Sequence, residues 1–266
     1  MPPVIRPVLN VPIHSPNDLE AIARDFILDG FACVKDTLTA DELAYAQEGA
    51  NRIVAEQTAR IALEDGNRGF ARYSFGSQIE HPEWRQYIDL PSILSIVEHI
   101  WGTDDFQCSG VGGDYSLPGA KIQHLHADIR DPLNDPLDDV TIFDLPAPRI
   151  VVNFTMTDFT EENGPTRIVR GTHRSRHPIP SLAEEPDWMK AAILVAPAGT
   201  AIVRDIRAWH GGTENRSRAP RVMTGVGYTA PWFRHTISLN SLSHDIYQTM
   251  SERSRQLCRS IVTLPQ

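Results

Sequence analysis

Arg221-Val222-Met223-Thr224-Gly225-Val226-Gly227-Tyr228 reads as a β-strand. It is short, rich in β-branched residues, and preceded by the turn-forming run Ser217-Arg218-Ala219-Pro220. Working outward, the same signature recurs at Arg149-Ile150-Val151-Val152-Asn153-Phe154-Thr155-Met156, Ala192-Ile193-Leu194-Val195 and Thr200-Ala201-Ile202-Val203. Gly, Pro, Asn and Asp clusters separate these runs from about Gln107 onward, at the spacing of a sandwich or barrel. Upstream, the period changes from two to nearly four. Leu19, Ile22, Ala23, Phe26 and Ile27 predict a helix that Ser15-Pro16 starts and Gly30 stops, followed by a short strand at Phe31–Val34. Thr39 and Glu42 have the separation of a capping box and open a long helix towards Arg60. A third helix is expected from Ser92 to Ile100, and Ser243 to Ile261 reads as helical again. The fold class expected is mainly β with flanking helices around a double-stranded β-helix (jelly-roll, cupin-like) core. The expected organisation is a single domain over 1–266: a mainly helical part at 1–106, the jelly-roll core at 107–235 and a C-terminal helix at 236–266.

Bulk properties exclude several function classes. The formal net charge of −9 and the absence of a basic run with interleaved aromatics argue against nucleic acid as a partner. Only Lys35, Lys121 and Lys190 are lysines; the other basic residues are arginine. Three scattered cysteines, Cys33, Cys108 and Cys258, give neither a disulfide framework nor a Cys-rich zinc site. No apolar run reaches the length of a membrane span, and the first residues lack a signal-peptide pattern, so a cytoplasmic location is expected. A homo-oligomer is compatible with the sequence.

The chemistry-bearing stretch is Gln123-His124-Leu125-His126-Ala127-Asp128. If it is extended, His124, His126 and Asp128 share a face. A His and a carboxylate two apart form half of a divalent-metal site. His210, in Trp209-His210-Gly211-Gly212 after the strand at Thr200–Val203, is the third ligand candidate. Two His and one carboxylate make the facial triad of non-haem iron(II) oxygenases. His-x-Asp alone is a weak pattern in a chain with 10 His; the order of the two halves, each beside an expected strand and about eighty residues apart, carries the assignment. Arg221 lies eleven positions after His210. A hairpin would bring it back into the barrel, where a buried guanidinium needs an anion such as a dicarboxylate; pairing with an internal Asp or Glu is the alternative.

The set Gln123-x-x-His126-x-Asp128, Asn163-Gly164-Pro165-Thr166 with Gly171-Thr172-His173, and His210-x-x-x-x-Asn215-x-Ser217-x-x-x-Arg221 resembles the phytanoyl-CoA dioxygenase family of iron(II)/2-oxoglutarate oxygenases. The resemblance covers roughly Gly110 to Tyr228. It implies that His126, Asp128 and His210 hold Fe(II). It also implies that Arg221 pairs with the distal carboxylate of 2-oxoglutarate, that Gln123 and Thr166 help hold this co-substrate, and that Asn153 lines the site. O2 is the oxidant, and ascorbate is the expected activator. Arg170 departs from the proline usual before the Gly-Thr-His turn. Asp128 argues against halogenation, because related halogenases carry a small residue there.

The substrate side is expected to be a small molecule, with Phe70, Arg72, Tyr73, Phe75, His124 and Trp232 as substrate-binding candidates. Scarce lysine argues against a CoA ester and favours a natural-product intermediate. The expected reaction is oxidation of an unactivated C–H bond by hydroxylation, desaturation or rearrangement, with release of succinate and CO2. The rivals are a cupin-like metal-dependent isomerase or hydrolase that does not use 2-oxoglutarate, and a non-catalytic binding protein.

Overall fold

The computed structural model describes residues 9–233 and 241–263. In chain order its strands are β1 (Ile13–His14), β2 (Phe31–Val34), β3 (Arg72–Ser74), β4 (Gln107–Ser116), β5 (Arg149–Thr155), β6 (Thr166–Ile168), β7 (Ala201–Asp205), β8 (His210–Gly212) and β9 (Arg221–Thr229). The helices are α1 (Leu19–Asp29), α2 (Ala40–Thr58), α3 (Pro82–Arg85), α4 (Pro91–Trp101), α5 (Asp187–Lys190), α6 (His244–Thr249) and α7 (Glu252–Cys258). Seven strands form the major sheet in the order β1-β2-β7-β5-β9-β4-β3, antiparallel except for β1 on β2. The minor sheet has β6 and β8 at its centre. The residues around Ile193 bond to β6 on one side (Ile168 N–H to Ala192 O, Leu194 N–H to Thr166 O), and His126 pairs with His210 of β8 on the other. Two facing sheets make the expected jelly roll.

Alternation along the major strands separates core from cavity. Ile150, Val152 and Phe154 of β5, Ala201 and Val203 of β7, and Val222 and Tyr228 of β9 join one apolar core with Ile22, Phe26, Ala50, Ile53, Ile93 and Val97 of the helices. Burying each large apolar side chain there contributes roughly 1.5–3 kcal/mol. The intervening residues Arg149, Val151 and Asn153, Ile202 and Arg204, and Arg221, Met223, Gly225 and Gly227 line a cavity on the other face. None of the described helices is long and apolar enough to cross a membrane.

Several expected elements differ in detail. The cap of α1 is Asp18, not Ser15: Ser15-Pro16 forms a preceding turn whose Ser15 carbonyl accepts from Asp18 N–H. The capping box of α2 is present, with Thr39 Oγ1 accepting from Glu42 N–H and Glu42 Oε2 from Thr39 N–H. The expected C-terminal helix is broken at Met250-Ser251, where Ser251 caps α7; the expected range from 236 begins outside the described residues. The Gln123–Asp128 stretch is not a regular strand. Its backbone meets β8 through Gln123 N–H to Gly212 O and the reciprocal His126–His210 bonds, and Asp128 N–H then reaches Ile206 O. Arg170 stays at the surface, where its guanidinium meets Asn10 O and Asp29, while His173 is buried with Nε2 3.1 Å from Ile27 O. The departure from proline thus ties the turn to α1.

What holds the irregular 123–128 segment is a buried ion pair. Arg167 of β6 and Glu185 are fully buried and bonded twice, and Arg167 Nη2 also donates to Gln123 O at 2.6 Å. Glu185 Oε1 accepts from Leu125 N–H at 3.3 Å. Breaking such a pair strands a charge and costs about 3–5 kcal/mol, whereas apolar replacement of both partners is close to neutral. Urea unfolding at neutral pH is expected to show Arg167→Met losing about 3–5 kcal/mol and Arg167→Met/Glu185→Leu recovering most of it; equal losses in both would refute a stranded charge as the cause.

Candidate metal centre

His126, Asp128 and His210 are the one group of three His, Cys, Asp or Glu side chains that could hold a metal among the described residues. Their ligand atoms all lie within 4.8 Å of one another. His210 Nε2 is 3.6 Å and His126 Nε2 3.9 Å from Asp128 Oδ1, and the imidazole centroids are 4.3 Å apart. Backbone pairing sets this geometry: His126 and His210 exchange both N–H to O bonds at 2.9 Å. The turn between β7 and β8 is shaped by Asp205, whose buried carboxylate pairs with Arg207 and accepts from Arg207 N–H at 2.9 Å. Arg207 Nη1 then donates to Ile142 O and Leu145 O.

The electrostatics of the cluster suit metal ligation. Burial, with Arg204 adding to it, pushes the His210 imidazole down to about 3, and burial lowers that of His126 as well. Both are neutral at physiological pH, as ligation requires. His210 Nδ1 lies 3.0 Å from Ala208 O, which can only accept. Arg204 Nη1, a donor, lies 3.3 Å from the same nitrogen; the carbonyl is the nearer partner, and with the proton on Nδ1 the Nε2 lone pair is free for a metal. Burial alone would raise the Asp128 carboxyl. Arg204, followed by His210 and His126, outweighs it and holds the group below the usual carboxylate range. Arg204 Nη2 donates to Asp128 Oδ2 at 2.8 Å, leaving Oδ1 towards the histidines.

The three residues border a cavity of about 670 Å³ between the sheets. Arg221, Thr166, Asn153, Gln123, Arg72 and Tyr73 also line it. Arg221 is buried; Nε donates to Gly164 O at 3.1 Å, the guanidinium lies 5.4 Å over the Phe159 ring, and Nη1 has no partner. Arg72, Ser116 and Arg221 occupy one row across β3, β4 and β9. Burial and then the charge of Arg221 push Arg72 down to about 9. Two guanidiniums at one end of a cavity, one with a buried orphan donor, fit a dicarboxylate. Gln123 lines the cavity, but its amide is engaged by Gly212 N–H and Arg68 O.

Four substrate candidates do not line this cavity. Phe75 is in the core against Trp84 and Tyr115, because alternation along β3 turns it away from the Arg72 face. Phe70 and Trp232 are 44% and 45% exposed, and Trp232 packs on Phe233. His124 is exposed beside His126, since the irregular backbone does not keep residues two apart on one face. Tyr73 lines the cavity but stacks on Tyr115 and donates to Ala62 O. Sequence reasoning missed Arg204 and Arg149. The available signal was an arginine within or opening an apolar strand, where one face must be buried.

A family model for phytanoyl-CoA dioxygenase (PhyH) matches residues 26–223. The chain belongs to the PhyH family. The dioxygenase trt7 of Aspergillus terreus is 32% identical over 147 residues, covering 53% of this PhyH chain and 47% of that protein. The dioxygenase olcK of Penicillium canescens is 34% identical over 171 residues, covering 59% and 47%. The chain thus spans about half the length of the curated relatives it matches. The crystal structure of HygX from Streptomyces hygroscopicus, with nickel, 2-oxoglutarate and hygromycin B bound, superposes with a TM-score of 0.63 at 15% identity. That match covers 85% of this chain and 93% of HygX, and shows the shared fold. Calorimetry with Mn(II) or anaerobic Fe(II) is expected to give one site per chain, and His126→Ala or His210→Ala to abolish it; unchanged binding in either variant would remove these residues as ligands.

Proposed function

We propose that this chain is an iron(II)- and 2-oxoglutarate-dependent dioxygenase acting on an unactivated C–H bond of a small natural product. The observation that carries the reading is the His126–Asp128–His210 cluster in the same cavity as Arg221, whose buried Nη1 lacks a partner. Iron, 2-oxoglutarate and O2 together supply the oxidising power, with succinate and CO2 as co-products. The chain's own residues do the rest. His126, Asp128 and His210 would hold the metal as two neutral imidazoles and one carboxylate, the donor set of the facial triad. Arg204 fixes Asp128 in its ionised form. Arg221, with Arg72 beside it, takes the far carboxylate of the co-substrate; Thr166 and Asn153 border the same space. The apolar wall of Val151, Ile202 and Met223 limits water near the reacting carbon. Asp128 stands where related halogenases carry a small residue, which favours oxygenation over halogenation.

Support for a small-molecule substrate comes from the cavity between the sheets and from HygX, a chain of the same fold whose structure holds hygromycin B. A metal-dependent isomerase or hydrolase without 2-oxoglutarate would leave the Arg221 and Arg72 pair without an anion. We further propose a single domain over the whole chain and ascorbate as an activator.

The test is succinate formation with Fe(II), ascorbate and 2-oxoglutarate across a panel of natural-product intermediates. Wild type is expected to respond to at least one compound, and His126→Ala to none. Arg221→Ala is expected to raise the KM for 2-oxoglutarate about 10- to 100-fold, the worth of a charge-assisted contact. Succinate formation that is identical in wild type and His126→Ala would overturn the reading.

A further inference from the structure

Five arginines line the cavity, Arg68, Arg72, Arg149, Arg204 and Arg221, against two carboxylates, Asp114 and Asp128. Four of the five are accounted for. Arg204 pairs with Asp128, and Arg68 lies 3.6 Å from Asp114. Arg72 donates to Thr213 O and Lys121 O, while Arg221 donates to Gly164 O and faces the proposed co-substrate. Arg149 is the exception. Among the described residues its side chain makes no hydrogen bond or ion pair, and its Nε is buried without a partner. Residues 1–8, 234–240 and 264–266 contain no Asp or Glu, so no acidic side chain elsewhere in the chain is left to pair with it.

A second orphan lies beside it. Ser109 Oγ is also buried without a partner and lines the cavity. The two groups converge at Gly227: a Cβ there would lie 2.6 Å from Ser109 Oγ, 2.8 Å from Arg149 Nη2 and 3.2 Å from Arg149 Nε. Glycine at this inward-facing position of β9 is what lets the guanidinium lie against the strand. The location is set by register. Gly227 shares a row with Val151 and Arg204, and Arg204 holds the metal ligand Asp128. Arg221 is six residues away along β9, about 20 Å at 3.3 Å per residue. Arg149 is therefore at the metal end of the cavity and the 2-oxoglutarate arginine at the other.

We propose that Arg149 and Ser109 form a second anion subsite that binds a carboxylate of the substrate, so that the chain acts on an organic acid rather than a neutral molecule. This rests on the dioxygenase reading for what happens to the substrate, but not for the binding itself. A guanidinium edge offers two parallel N–H donors that match a carboxylate, and a neighbouring hydroxyl adds a third contact. The cation, which feels Asp128 only at a distance, also repels cationic competitors, and a neutral ligand would leave it unpaired in a low-dielectric wall. An acid held here has its carbon skeleton beside the metal cluster while 2-oxoglutarate occupies the Arg221 end.

The experiment uses matched acid and amide pairs, 2-naphthoate with 2-naphthamide and adamantane-1-carboxylate with its amide. They are titrated calorimetrically into the full Mn(II)-loaded chain with and without saturating N-oxalylglycine, an inert analogue of 2-oxoglutarate. In wild type at least one acid is expected to bind about 10-fold or more tightly than its amide, the worth of a charge-assisted contact. Arg149→Gln should bring the pair level, Arg149→Lys should retain part of the preference, and Ser109→Ala should weaken it about threefold, as for one neutral hydrogen bond. The Kd of N-oxalylglycine should be unchanged in Arg149→Gln. No acid preference in wild type, or a preference that survives Arg149→Gln, would overturn the subsite. So would a weakened N-oxalylglycine in that variant, which would assign Arg149 to the co-substrate. Wild type that fails to bind N-oxalylglycine while keeping the Arg149-dependent preference would instead sink the dioxygenase reading and leave the subsite standing.

Discussion

The pairing of the His126 and His210 backbones is the constraint on which the site depends. The two histidines are more than eighty residues apart, and one reciprocal pair of hydrogen bonds fixes their separation. One side of that pair is anchored in a strand, β8, shaped by the Asp205–Arg207 turn. The other side is an irregular segment that makes few ladder bonds of its own. It is held by the Arg167–Glu185 pair, which reaches Gln123 O and Leu125 N–H from within the minor sheet. A buried ion pair is a weak source of stability. Its geometric demands are strict, though, and here they place a segment that strand pairing alone leaves loosely specified.

The major sheet contributes in a different way. Its period-2 alternation gives the helices an apolar face and the cavity a mixed one. On the cavity face of β9, arginine, methionine and two glycines follow one another at alternate positions. Gly225 leaves room for the Asn153 amide and Gly227 for Arg149, so the strand is wide open where side chains from β5 must lie across it. Glycine in a strand interior costs stability. The cost is offset by the neighbouring strands, which pair with β9 along both edges.

These features explain what the sequence reveals and what it hides. The strands at Arg149, Thr200 and Arg221 are legible because burial on a sheet imposes a short β-branched pattern, and α2 because its capping box is local chemistry. His126, Asp128 and His210 are legible through spacing and order. The Gln123–Asp128 stretch is misread as a strand because its conformation is imposed by Arg167 and Glu185, far away in sequence. The aromatic run from Phe70 to Phe75 looks like one pocket wall, but β3 sends Arg72 to the cavity and Phe75 to the core. Arg204 and Arg149 are hidden for a related reason. An arginine in or at the start of a strand reads as a boundary until the facing sheet shows that its side is enclosed.

Arg204 also changes how the metal cluster is understood. A carboxylate beside two imidazoles in a half-buried site would gain a proton as burial deepened. The guanidinium at 2.8 Å prevents this and engages only Oδ2, so one oxygen is oriented and the other remains for the metal. The same cation suppresses protonation of His210, adding to burial. A single arginine thus biases two ligands in opposite senses, carboxylate ionised and imidazole neutral, which is the combination that a divalent cation requires. The chain as a whole is acidic, yet this cavity concentrates arginine. That contrast is what a site needs if it is to draw in two anions, one at each end, past a surface that repels them.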